Sequence, residues 1–357
     1  MEEMTKGKKI LFYSTLVIIA LYFFFLGLAA AKSFLIPLTA GIILALLVVP
    51  LSQKMENGVM NRPVASLLNT FIIFLVSVGF VALVSFQVKN VVDKWPQIQE
   101  TMNPKIEKLQ SFVLEHTPLQ EKDLQQSQGG NSIPFLGKTS NPGQQAASFF
   151  SQVMGFFADY LLTFIYIFFI LNYRHRFKKF LLKLFPDKRQ KDVKKVIEES
   201  AKVTQRYLVG KLILIGLLAV LYSIGLGISG VSNFILISVL AAALSLVPYI
   251  GNIIGFGMAM AFGYLTSGQS GVLIGIIVTF SIAQFVESYI LEPYVVGDQV
   301  DLHPFFVILA VIIGNMVWGV PGMVLSIPIL AIINVILLHV RPLQPFGYLL
   351  SKGDSSE

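Results

Sequence analysis

The 357-residue sequence predicts an all-α, polytopic helical membrane protein. Three observations carry that reading. The composition is 55% hydrophobic and only 13% charged, with a mean hydropathy of +0.72. The apolar residues form continuous runs near twenty residues, which suit a helix of ~1.5 Å rise crossing a hydrocarbon core of ~30 Å. Residues 234 to 264 and 305 to 340 contain no Asp, Glu, Lys or Arg, yet Pro and Gly interrupt both. A β-barrel is excluded because its strands would alternate over about ten residues instead of running unbroken.

Taken in order, eight spans are expected, at 10 to 31, 33 to 50, 65 to 88, 146 to 172, 211 to 230, 233 to 264, 271 to 291 and 305 to 339. The first follows Lys6, Lys8 and Lys9. Its apolar run exceeds the ~7 to 15 residues of a signal-peptide core, so it reads as a retained span. The sixth and eighth are too long to be straight; 31 helical residues would reach about 46 Å. The surplus must be tilted, broken or folded back, and breaks survive in lipid only where protein or a wet cavity satisfies the freed backbone groups.

Charge sets the orientation. Residues 173 to 206 hold twelve of the 27 basic residues against four acids, while the polar segment 89 to 145 has six of each. The positive-inside rule then places the N-terminus, the 51 to 64 loop with Lys54 and Arg62, and the 173 to 210 segment in the cytoplasm, with both termini on the inner side of the cell membrane. The net charge of +7 is thus topological and no nucleic-acid footprint. The linear organisation expected is an N-terminal membrane part (1–89), an extracytoplasmic insert (90–145), a fourth span (146–172), basic interfacial helices (173–210), a C-terminal membrane core with broken helices (211–340) and a tail (341–357).

In the insert, Trp95, Ile98, Met102, Ile106, Leu109 and Val113 recur at helical spacing, and the Gly-, Ser- and Gln-rich remainder reads as a loop; together they are expected to cap the outer face, a receptor-like ligand domain being the other reading. The basic segment divides at Pro186 into two stripes. One carries Phe177, Phe180, Leu181 and Leu184, the other Val193, Val196, Ile197 and Leu208, and both are expected to lie on the inner membrane surface.

Catalytic chemistry finds little support. Without cysteine there is no disulfide and no thiolate metal site. Gly137-Lys138-Thr139 lacks the upstream glycine of a phosphate loop, because Ser132 stands there. Gly268-Gln269-Ser270-Gly271 matches a short protease pattern that Gly/Ser-rich turns produce by chance. No metal-ligand cluster occurs. The expectation is a non-enzyme with no cofactor and no metal.

Between residues 212 and 340 the formally charged residues are Glu287, Glu292, Asp298 and Asp301, all acidic. Glu287 lies inside a span, where a carboxylate either faces a cavity as a proton- or cation-titrating group or pairs with Gln284, Lys211 or a helix end. On an α-helix Glu292 would stand some 140° from it. Glu292, before Pro293, reads as a helix-end device, and Asp298 and Asp301 as caps or solvent-facing groups. At the breaks, Pro248 lacks an amide hydrogen and Gly251, Gly255 and Gly257 admit close backbone approach, so the groups around 247 to 252 are candidates to coordinate a solute or ion. Gly319, Pro321 and Gly322 would supply the opposing half. The other reading is packing, since Gly251 to Gly255 also fits a GxxxG contact. Asn252 and Asn315, each beside a break, are expected to be buried and either line a path or tie helices together. Tyr249 and Trp318 would stack on a solute or mark an interface belt.

Val247-Pro248-Tyr249-Ile250-Gly251, Glu292-Pro293-Tyr294-Val295-Val296-Gly297, Leu302-His303-Pro304 and Trp318-Gly319-Val320-Pro321-Gly322 with Ile327-Pro328 resemble, in order and spacing, the signature series of the autoinducer-2 exporter family of bacterial permeases. The departure is Asn315-Met316, where a small, Gly-rich pair is expected. The resemblance implies small-solute transport, described in that family as export of the quorum-sensing furanone or as monovalent cation/proton antiport. The expected function is therefore a permease for a small hydrophilic solute, coupled to protons or sodium through Glu287. The rivals are a cation/proton antiporter and a non-transporting membrane scaffold. The expected partners are the lipid bilayer, the solute with H+ or Na+, and further copies of the chain, with no nucleic acid.

Overall fold

The computed structural model describes residues 6–58, 60–93, 142–247, 250–267, 269–296 and 301–353, with Glu100 and Pro104. Every regular element among them is helical: α1 (Lys6–Ala30), α2 (Lys32–Glu56), α3 (Arg62–Asp93), α4 (Pro142–Lys183), α5 (Asp187–Ile228), α6 (Phe234–Leu244), α7 (Ile250–Ser267), α8 (Ser270–Val286), a π-helical segment (Glu287–Val296), α9 (Pro304–Trp318), α10 (Val320–His339), a 3-10 turn (Arg341–Leu343) and α11 (Gln344–Leu350). Six described helices are long and apolar enough to cross a membrane: 11–30, 32–56, 62–86, one within α5, 270–295 and 320–339. The polytopic helical membrane class follows directly. Most of the insert, 90 to 145, lies outside the described residues.

The long uncharged segments are broken where Pro and Gly stand, but each is a helical hairpin and not one interrupted span. In the first, α6 has 11 residues, about 16 Å of helix, too little to cross ~30 Å of hydrocarbon. α7 folds back along it. A Cβ at Gly251 would run into the Leu244 backbone, and one at Gly255 would sit 3.0 Å from the Ala241 Cβ. In the second, α9 and α10 pack so closely that Gly314 and Gly322 would each place a Cβ against the other's carbonyl. The turn between them is Gly319, with φ 64° and ψ −142°, a region that only glycine enters without strain.

The basic segment also departs from expectation. It breaks at Pro186 as its sequence implies, but the two stripes are the distal parts of the 42-residue helices α4 and α5, not separate interfacial helices. Nothing between 172 and 183 or between 187 and 211 interrupts the i to i+4 ladder, so both helices simply continue.

The chain forms two compact units, each assembled from separated stretches: Met1–Phe71, Tyr160–Val209 and Asp298–Glu357 in the first, Ile72–Asp159 and Gly210–Gly297 in the second. In the first unit Ala40, Ile43 and Leu325 form a core with Leu208, Trp318 and Ile329. There the Arg174 guanidinium grips Glu56 through both carboxylate oxygens, at 2.7 and 2.6 Å, and reaches Ser52 at 3.2 Å. The two side chains are each 13% exposed, so this fork binds the end of α2 to α4 where water competes little. A Cβ at Gly41 would stand 2.9 Å from the Tyr166 Cβ, which brings the same two helices together further along.

The end of the chain is tied down in the same unit. The His303 amide donates to the Leu350 carbonyl at 2.7 Å and the Lys352 amide to Asp301 Oδ1 at 2.9 Å. Asn334 Nδ2 donates to the Asp301 carbonyl and to Ser351 Oγ. Asp301 thus anchors the tail, while the cap of α9 is His303, whose Nδ1 accepts from the Phe305 amide, with Pro304 in the first turn. Asp298 lies outside the described residues. In the second unit Leu214, Leu218, Tyr222, Ile237, Ala259, Ile276, Phe280 and Ala283 share one core.

Candidate functional site

The second unit places a polar cluster at the edge of its apolar core, with Glu287 buried, Asn252 half-buried and Gln284, Ser288 and Glu292 exposed. Its scaffold is the first turn of α7, the end of α8 and the π-helical segment. The turn widens there for a local reason. Proline at 293 has no amide to donate, and in an α-helix its ring would strike the carbonyl of Tyr289; the wider π-turn relieves that clash. A π-turn holds about 4.4 residues, so Glu292 stands roughly 50° round from Glu287 and exposed, while Leu291 and Val295 continue the buried side. This corrects the 140° separation expected of an α-helix.

Glu287 is buried, at 5% exposure. Asn252, 35 residues earlier in the chain, donates its Nδ2 to Glu287 Oε2 at 3.0 Å and to Gln284 Oε1 at 3.0 Å. Gln284 Nε2 in turn donates to Ser288 Oγ at 3.1 Å. The amide nitrogen of Asn252 is fully used, whereas its Oδ1 is buried with no hydrogen-bond partner among the described residues. Lys211, near the middle of α5, is buried as well, and the charges bearing on it are Glu287 and Glu292. The result is a fixed carboxylate, an unsatisfied amide oxygen and a nearby ammonium. The oxygens are hard acceptors able to hold a proton, a small monovalent cation or a hydrogen-bond donor on a solute.

Of the residues singled out in the sequence, Asn252 and Glu287 meet directly, and Glu292 joins them as an exposed neighbour. Gly251 packs under this site against α6. Pro248, Tyr249 and Gly297 lie outside the described residues. Gly319, Pro321 and Gly322 belong to the first unit, where they build the α9–α10 turn, and Pro328 is buried within α10. Asn315 is exposed, contrary to expectation. The backbones at 314 and 322 touch, which leaves no space between the helices for the adjoining amide and turns it outward. Gly314 supplies the small residue expected one position later. Trp318 is bound by its own chain, its Nε1 donating to the Leu28 carbonyl at 3.0 Å. The two histidines of this part of the chain are engaged as well: His339 Nε2 meets Glu199 Oε2 at 3.1 Å, and His303 caps α9. Ser288 escaped the sequence reading, because a lone serine in a span carries no signal.

Asn252→Ala removes the donor that fixes Glu287 and releases Gln284. A buried acceptor left unsatisfied costs ~1–3 kcal/mol, so a fall in thermal stability of that size is expected, and Asn252→Gln should not recover it because its amide reaches too far. Differential scanning fluorimetry in detergent measures both.

A family model described as AI-2E family transporter matches residues 16–342. The chain belongs to the AI-2E transporter family. It resembles "Putative transport protein YueF" of Bacillus subtilis (strain 168), 23% identical over 79% of this chain and 78% of that protein. It also resembles "Putative transport protein YrrI" of the same organism, 22% identical over 86% and 87%. "Putative transport protein YhhT" of Escherichia coli (strain K12) is 22% identical over 92% of this chain and 90% of its own. For this AI-2E family member the coarse conclusion is a multi-pass membrane protein of transport type, with its apolar helices in a lipid bilayer. The Glu-Pro-Tyr signature that contributes to the family resemblance falls on the widened turn that carries the polar cluster.

Proposed function

We propose that this AI-2E protein is a permease of the cytoplasmic membrane that moves a small hydrophilic solute, of the kind represented by a furanone signalling molecule, as a proton- or sodium-coupled secondary transporter. The supporting observation is the Asn252–Glu287 contact: a buried carboxylate held by one amide beside an unsatisfied amide oxygen, at the start of a short helix folded back on its neighbour. Such a group exchanges a proton or cation for solute contacts as the surroundings change. Further copies of the chain are expected partners in the membrane.

Monovalent cation/proton antiport is the second reading. Glu292 one π-turn from Glu287, with Lys211 bearing on both, is more charge than a neutral solute needs. Purified protein in vesicles separates the two. Gradient-dependent uptake of a labelled furanone supports the permease. Sodium-driven proton movement, read with an internal pH dye and without any solute present, supports the antiporter. Vesicles that match protein-free controls in both assays refute both.

A further inference from the structure

On α5, positions 211, 214, 218, 222 and 226 recur at three- and four-residue spacing and are all buried, from 0% exposure at Leu218 to 8% at Lys211. Four are apolar or aromatic and the first is a lysine. This stripe packs on α8 and the π-helical segment: Leu214, Leu218 and Tyr222 share a core with Phe280, Ala283, Leu291 and Val295, and the Tyr222 ring stacks on Phe280 at 4.5 Å. Lys211 is thereby aimed at the side of the bundle where Glu287 and Glu292 stand, and no other Lys or Arg occurs from 212 to 340. Among the described residues the ammonium forms no direct ion pair with either carboxylate; the hydrogen bond to Glu287 comes from Asn252. The groups bearing on Glu287 are Lys211 and Tyr222 from α5, Asn252 from α7 with Gln284 beside it on α8, and Glu292.

A buried ammonium that merely secured the fold would gain most by closing on its carboxylate, because separated buried charges forfeit the attraction that offsets their desolvation. We propose that Lys211 is a built-in countercation, held at one remove from Glu287, which balances the carboxylate when no transported cation is bound and limits how tightly a monovalent cation such as Na+ is held. This rests on Glu287 being the coupling group. Lys211 is a positioning residue: its charge sets the affinity of a site made by Glu287 and the free Oδ1 of Asn252. Without that charge Na+ takes over the balancing role, binds more tightly and leaves more slowly.

The test is thermal unfolding of the purified full-length chain at alkaline pH in equal concentrations of NaCl or choline chloride. Lys211→Met should be more stable in NaCl than in choline by about 3 °C or more beyond any difference in the wild type, as tighter ligand binding requires. Lys211→Arg should behave as the wild type. Lys211→Met/Glu287→Gln should lose the sodium response and regain stability over the single variant. Equal melting of Lys211→Met in both salts, or a sodium response that survives Glu287→Gln, overturns the proposal. If Lys211→Met does not fold, recovery of folded protein in the double variant supports charge balance, and failure of both assigns Lys211 to packing. Solute or ion flux that is intact in Glu287→Gln would remove the coupling role alone, while the sodium response of Lys211→Met still reports on the countercation.

Discussion

Glu287→Gln is expected to abolish gradient-driven flux in reconstituted vesicles while leaving the protein folded. Glutamine keeps the length and the oxygen that Asn252 Nδ2 donates to, so the 3.0 Å contact has a partner in the variant. What disappears is the ionisable group, and with it any means of taking up and releasing a proton or cation during the cycle. Stability should fall without collapse: the amide avoids the carboxylate's desolvation cost, while the buried Lys211 ammonium loses the charge it balances. The comparison uses vesicles with matched protein content, an imposed pH or sodium gradient, and protein-free vesicles as baseline. Flux falling to that baseline, in protein that still unfolds cooperatively, is the expected result. Flux at the wild-type level would take Glu287 out of the coupling step.

Gly322→Val should destabilise the fold more than Asn252→Ala does at the polar cluster. A Cβ at 322 points into the Gly314 carbonyl and stands 3.0 Å from the Trp318 Cβ. Backbone cannot move aside as a flexible side chain can, so the α9–α10 hairpin must open. Overpacking of this kind costs about 3 kcal/mol, and the melting temperature should fall by roughly 5 °C or more. Gly314→Val should match it, since the clash is reciprocal. Gly257→Ala is the control: a Cβ there meets open space, and its replacement within α7 should be neutral or slightly stabilising. Equal melting of Gly322→Val and the wild type would mean that the two helices do not pack through these glycines.

The membrane class, the positions of both breaks and the division at Pro186 were legible because each depends on local chemistry: uncharged length, missing amides and unstrained positive φ. The closure of each break into a hairpin was not. It depends on what each small residue meets, Gly251 the Leu244 backbone, Gly255 Ala241 and Gly314 Gly322, and spacing along one stretch of sequence does not contain that pairing. Glu287 and Asn252 were individually suspect as polar groups in lipid, but their hydrogen bond spans 35 residues and a reversal of the chain. The angular relation of Glu287 to Glu292 was misread because a proline inside a membrane helix suggests a kink, and here the ladder widens instead. The Glu56–Arg174 fork, 118 residues apart, left no trace in either local sequence, where both residues look like ordinary loop charges.

The anchoring of the tail has a mechanical consequence. The Leu350 carbonyl and the Lys352 amide hold the residues that lead into α9, so a handle or reporter joined just beyond them begins on a tethered segment. Tension applied there loads Asp301 through Lys352 and Asn334 of α10 through Ser351. A soft spacer is therefore needed if such a fusion is to leave the hairpin undisturbed.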